Sequence, residues 1–320
     1  MTEVIPHAKC VVDSAGKIKN FCDIEISTKT VIAITNLKID LPKFFQYIPI
    51  TDHIPPQKRR GRKPRVNVSL PSHKISAGSV IFAQTRREFR GSYVKEKTKN
   101  STTFFLHSVT IVLVLKNNKF VNVKVSSNGK LQITGCKCED HYVDTVIALY
   151  EMLRRIETMT GEKVYRLDGE DQTKVTAVYN TVMQNMDFNI GFHIYRHKLD
   201  RFIKQETPFH SVFEGSIAGT GVNIKIPSDE SVQNDLLKIT YDGDTFATEK
   251  CSVPYSTYCD MLEDKEKRKE TAKKRCHTFL VFSSGSIIMS SRGADMGTVF
   301  NTLVQTLIKD REKFEDRSEW

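Results

Sequence analysis

The chain has 320 residues, 39% hydrophobic and 27% charged, a composition that excludes disorder and collagen-like repeats and suits one large or two smaller globular domains. Lys and Arg number 48 against 38 Asp and Glu, a formal net charge of +10, which points to nucleic acid, an anionic membrane or an acidic protein as partner. No apolar run approaches the roughly 18 residues of a membrane helix. Residues 1–10 lack the pattern of a secretory signal. The seven irregularly spaced cysteines read as free thiols in a reducing compartment. The expectation is an intracellular protein.

In chain order, the first strand signal is residues 30–41, rich in Val, Ile and Thr, running into a short helix over 42–48 that opens on Pro42. Residues 55–71 hold four prolines and a basic run of Lys58, Arg59, Arg60, Arg62, Lys63 and Arg65, with no apolar periodicity, and read as a loop or tail. Residues 108–115 are an apolar strand. Residues 120–126 alternate, with Val121, Val123 and Val125 on one face and Asn122, Lys124 and Ser126 on the other, the period of a half-buried antiparallel strand. Asn128-Gly129 is a hairpin signal, and 130–135 is its return strand. The spacing of Val143, Val146, Ile147, Tyr150, Leu153 and Ile156 predicts an amphipathic helix.

The same word recurs downstream. Residues 278–282 are an apolar strand, Ser283-Ser284-Gly285 a turn, 286–290 a return strand, and Met296 to Ile308 a helix. A strand over 175–190 running into 191–203 supplies the matching front end. Residues 209–213 and 221–227 read as strands between. The second charged run, 263–275, reads as a solvated helix or excursion. An internal duplication constrains the whole architecture more than any single motif does.

No catalytic arrangement, cofactor motif or small-molecule site emerges. Cys136, Cys138 and His141 lack the spacing of a zinc site. His193 and His197 read as surface residues. Gly215 to Gly221 lacks the ending of a phosphate loop, and Asp168 to Asp171 lacks calcium spacing. The basic run admits two readings: an AT-hook-like core, imperfect because Lys63 separates Arg62 from Pro64, or a generic phosphate-contacting or import-type patch.

The repeated unit resembles the TATA-box-binding protein family. Residues 280–285 and 129–137 carry the likeness: they resemble the family's apolar strand ending in Phe-Ser-Ser-Gly-Lys and returning through Thr-Gly-Ala-Lys. Asn180, Val182 and Asn185-Met186-Asp187-Phe188 resemble the opening strand of its second repeat. The long inserts resemble the divergent members found in large cytoplasmic DNA viruses. The resemblance implies an α+β fold: a pseudo-symmetric two-lobed saddle, its curved antiparallel sheet backed by long helices on the convex face. Repeat one would span 24–158, with a basic insert near 54–100, and repeat two 174–313, with an insert near 228–275. An N-terminal extension over 1–23, a linker over 159–173 and a tail over 314–320 complete the division.

The resemblance further implies a non-catalytic transcription factor that binds A·T-rich double-stranded DNA through the minor groove and recruits transcription factors or RNA polymerase subunits. Its implied place is a viral factory in the host cytoplasm, the nucleus or the virion. On the concave face it implies Val123, Val125, Gln132, Thr134, Asn180, Val182, Leu280, Phe282, Ile288 and Ser290; on the DNA backbone, the basic run with Lys130 and Lys137. Arg154, Arg155 and Lys309 would face protein partners. The departures are specific. Val125 stands where the family has Phe, Gln132 where it has a small apolar residue, and Thr28 and Thr30 where it has Asn and an apolar residue. Phe282 alone matches a wedge position, with Phe104, Phe105, Phe209 and Phe213 as further aromatics. Two rival readings are a scaffold for protein partners and an accessory domain of a nucleic-acid enzyme.

Overall fold

The computed structural model describes residues 10–12, 18–53, 75–91, 107–169, 171–215, 220–228, 233–260, 262, 275–293 and 295–317. They divide into two compact units: 30–180 with 237–250 form the first, and the described residues of 1–29, 181–236 and 251–320 form the second. The basic run Lys58, Arg59, Arg60, Arg62, Lys63 and Arg65 lies outside the described residues, as do Phe104 and Phe105.

The elements in chain order are β1 (Ile26–Thr35), β2 (Leu37–Ile39), α1 (Leu41–Tyr47), β3 (Val80–Gln84), β4 (Phe89–Gly91), β5 (Ser108–Leu115), β6 (Lys119–Ser126), β7 (Lys130–Cys136), α2 (Glu139–Thr160) and β8 (Tyr165–Leu167). They continue as β9 (Val175–Asn189), α3 (Arg196–Glu206), β10 (His210–Val212), β11 (Val222–Pro227), β12 (Gln233–Tyr241), β13 (Phe246–Pro254), α4 (Tyr255–Asp260), β14 (Cys276–Val281), β15 (Ser286–Ser291) and α5 (Met296–Lys309).

In the first unit the strand order is β1-β7-β6-β5-β3-β4, with the pairs β3–β5, β5–β6 and β6–β7 antiparallel. In the second it is β9-β15-β14-β11-β10, again antiparallel. Each unit therefore reads strand, short helix, four strands, long helix, with the opening strand lying beside the last. The duplication read from the sequence is a duplication of topology. The first unit adds β4 at its outer edge and the small antiparallel pair β2–β8. That pair places the stretch expected as a linker, 159–173, inside the unit.

Local chemistry sets the element ends. Asp40 caps α1 by accepting from the Lys43 amide at 3.1 Å, and Pro42 occupies its first turn. α2 carries Glu139 and Asp140 in its first turn and stops at Gly161, which takes the left-handed conformation at φ 71°. Val143, Val146, Leu149, Leu153 and Ile156 are buried on one stripe of α2, against Val121, Val123, Val125, Leu131 and Ile133 of the sheet. In the second unit Phe300, Leu303, Val304 and Leu307 of α5 and Leu199, Phe202 and Ile203 of α3 meet Phe279, Val281, Ile287 and Met289. Each such side chain contributes roughly 1.5–3 kcal/mol by leaving water.

The two central hairpins turn alike. Gly129 and Gly285 have φ 82° and 78°, and their amides donate to Ser126 O and Phe282 O at 3.1 and 3.0 Å. Their carbonyls accept from Thr35 N and Ile190 N, at the buried ends of the two opening strands. Counting from these glycines aligns the repeats without a gap: Ser126 corresponds to Phe282, Lys124 to Leu280, Gln132 to Ile288 and Thr134 to Ser290.

The insert of repeat two brings a hairpin, β12–β13, that the sequence reading left unassigned. Leu237 and Ile239 of β12 join the core of the first unit. The Tyr241 hydroxyl donates to Glu151 at 3.0 Å, and Lys250 pairs with Glu139 at 2.9 Å. The turn is held by Asp242, which accepts from the amides of Asp244 and Thr245 and from the Thr245 hydroxyl.

Candidate nucleic-acid interface

A sheet backed by helices on one side presents alternate side chains on the other. In the first unit that second face carries Asn122 opposite Thr134 and Lys124 opposite Gln132, followed by Ser126 and Lys130; all but the exposed Asn122 are half-buried. Toward the outer edge the same face changes character. Thr110 opposes Lys124 and Val112 opposes Asn122. Val112 and Val114 then close with Ile81, Phe82 and Phe120 into a small apolar cluster.

In the second unit the equivalent face carries Leu280 opposite Ile288 and Thr278 opposite Ser290, and Phe282 follows at the hairpin; these side chains are half-buried. β11 adds Asn223 opposite Leu280 and Lys225 opposite Thr278. β9 adds Asn185 opposite Ser290 and Asp187 opposite Ile288. The Oδ1 atoms of Asn185 and Asn223 are buried and take no hydrogen bond. The two faces differ in kind: polar and basic around Lys124 in the first unit, apolar around Leu280, Phe282 and Ile288 in the second.

Gln132, Thr134, Leu280, Phe282, Ile288 and Ser290 thus stand on the face opposite the helices. Val123 and Val125 do not. Both are fully buried in the core under α2, which corrects the expectation that they line a groove. The cause is a register error: matching Val125 to the family's Phe required one extra residue in the first hairpin, whereas the turns are equal and the position equivalent to Phe282 holds Ser126. Asn180 is only 3% exposed and its amide nitrogen donates no hydrogen bond, so its expected contact with a groove gives way to burial; Asn185 is the open-face asparagine of β9. Val182 is half-exposed in the stretch where β9 passes from one unit to the other. Lys130 opens β7. Lys137 is exposed beyond its end, its amide donating to His141 Nδ1 at 3.1 Å.

Burial and the nearby Lys119 lower the His141 pKa, in keeping with a neutral ring that accepts this bond. No cluster of metal-binding side chains occurs among the described residues. Arg154, expected to face a partner, is engaged within the first unit: it pairs with Glu151 at 3.4 Å, stacks on Tyr150 and lies against Gly243 of the β12–β13 turn.

One constellation was invisible to the sequence. His277 on β14 bonds through Nδ1 to Ser291 of β15 and through Nε2 to Asp295 at 2.8 Å, while Ser228 donates to the same carboxylate oxygen at 3.2 Å. His277 is 1% and Ser291 6% exposed. A serine, histidine and aspartate in a row resemble a nucleophile relay, but a substrate must reach the serine oxygen, and here it is shut in. The network instead ties β14, β15 and the start of α5 together.

These features define an α+β protein of two like repeats, each an antiparallel sheet with helices on one face and a half-exposed second face. Among the described residues no helix is long and apolar enough to cross a membrane. No family model matches the chain. A TATA-box-binding protein-like protein of Acanthamoeba polyphaga mimivirus is 30% identical over 117 residues, which are 35% of this chain. The chain spans about a third, 32%, of that curated relative. Among solved structures, a TBP from Methanococcus jannaschii is 12% identical with a TM-score of 0.40, covering 90% of this chain and 98% of its own. The likeness read from the hairpins is met by the mimivirus protein: the chain is similar to a divergent viral TATA-box-binding protein-like protein.

Proposed function

We propose that the chain is a non-catalytic DNA-binding factor of transcription, in which the half-exposed sheet faces of both repeats contact the minor groove of duplex DNA. The observation that carries this reading is the second face itself, repeated in register in the two units and lined by side chains that fit a duplex. Lys124, Lys130, Gln132 and Thr134 offer charge and hydrogen-bond donors in one repeat. Leu280, Phe282 and Ile288 offer the flat apolar surface that suits sugar edges and unstacked base steps in the other. The two-lobed saddle, promoter binding, and recruitment of transcription factors or polymerase subunits belong to this proposal. So do the phosphate contacts of the basic run at 58–65. A net charge of +10 supports it, since phosphate neutralisation supplies most non-specific affinity.

The test is duplex binding by the purified full chain across a salt series. Affinity falls steeply with salt, and Lys124→Ala or Lys130→Ala lowers the salt slope by about one each while weakening all sequences alike. Phe282→Ala reduces DNA bending, read by energy transfer between end-labelled dyes, more than Ser126→Ala does. Absence of duplex binding at low salt overturns the reading in favour of a scaffold for proteins.

A further inference from the structure

In the first unit, α1, the start of β5 and the β3–β4 turn enclose a groove of about 910 Å³. Its floor includes Phe45 and Val109, both also part of the core packed under the helices. Its rim is built from Arg86, Arg87 and Arg90, with Glu88 the one acid of the lining. The rim is pre-shaped. Arg90 donates to the carbonyls of Phe45 and Gln46 at 2.6 and 2.9 Å, pinning β4 to the end of α1. The Thr85 hydroxyl accepts from the amides of Arg87 and Glu88 at 3.3 and 3.1 Å, fixing the turn. Arg86 and Arg87 are exposed and form no ion pair with any described residue.

We infer that this groove is the docking site of an acidic peptide segment of a partner protein, anchored by a large apolar side chain. Three arginines against one acid select a negatively charged occupant. The stretches of this chain that flank the groove in sequence share the rim's sign: residues 54–74 hold seven Lys and Arg and no acid, and 92–106 three against one. Charge complementarity therefore selects another chain. A recessed apolar floor suits a leucine or phenylalanine anchor, for which a phosphate backbone has no counterpart. The inference is independent of the DNA reading.

The probe is a fluorescein-labelled peptide of repeated Glu-Asp-Leu-Phe-Glu units, titrated with the full chain at moderate salt and followed by anisotropy. The expected result is saturable binding that drops about tenfold or more in the double variant Arg86→Glu, Arg87→Glu and about tenfold when serines replace the probe's leucines and phenylalanines. Both arginines are exposed, so the double variant keeps the thermal midpoint of the parent. Its affinity for an A·T-rich duplex stays within about twofold if the groove lies apart from the DNA face. A polyglutamate peptide of equal charge that binds as tightly as the probe overturns the proposal, because charge alone then explains binding. So does a double variant that still binds the probe. Duplex affinity lost in the double variant without probe binding overturns it too, and makes the rim a phosphate contact.

Discussion

Gly129 and Gly285 occupy equivalent turn positions, and neither tolerates a side chain. A Cβ on Gly129 would sit 2.1 Å from Leu37 O, and one on Gly285 2.2 Å from Phe192 O, both at positive φ. Gly129→Ala and Gly285→Ala are each expected to cost about 2–3 kcal/mol in urea unfolding. Gly161→Ala, with φ of 71° but nothing within 4 Å, is expected to cost about 1 kcal/mol. Asp187 makes a second residue-level test. It faces the same side as Leu280 and Ile288, where a carboxylate would oppose phosphate. Asp187→Asn is expected to tighten duplex binding about threefold at low salt, an effect that fades as salt rises; no change would move Asp187 away from the bound strand. The error over Val123 and Val125 belongs to this scale. Alternation reveals that a strand has two faces, but not which one a helix will cover. In β6 the valines are the core, and the residues that meet solvent are Asn122, Lys124 and Ser126.

At the scale of elements, the junction between β7 and α2 turns on a neutral imidazole. His141 accepts the Lys137 amide, and its pKa lies below the ordinary 6.5 because burial, then Lys119, disfavour the charged form. The unfolded chain then binds the proton more readily than the folded one. Stability is therefore complete above the unfolded value and is lost as pH falls from about 6.5 through the lower folded value. Thermal midpoints taken from pH 7.5 to pH 5 are expected to decline less in His141→Asn than in the parent; parallel curves would remove His141 from the junction. The hairpins, both long helices and the strands β9, β10 and β11 were legible because period and turn residues agree there. β3 escaped because it falls within the stretch near 54–100 that reads as a basic insert. β12 and β13 escaped although Asp242-Gly243 is a hairpin signal, since 228–275 reads as an insert with no counterpart in the repeated unit. The His277, Ser291 and Asp295 network was illegible in principle, because strand pairing and not spacing brings its members together.

For the molecule as a whole, the duplication was readable and the wiring was not. The first unit is completed by Leu237, Ile239 and Tyr241, which arrive from the insert of the second repeat. A fragment of residues 30–180 is expected to lose several kcal/mol relative to the same unit in the full chain, because the apolar side chains against that hairpin return to water. Urea unfolding of the fragment, with and without an added peptide of residues 233–254, measures this. Recovery of the midpoint on adding the peptide is the expected outcome, and indifference to it would make the hairpin ornamental.

The same wiring orders events at the ribosome. Residues 30–180 emerge first, but the strand that closes their core follows more than fifty residues later. At synthesis speeds of about 5–20 residues per second, the nascent first repeat waits seconds with a greasy flank uncovered, an interval in which a chaperone has something to hold.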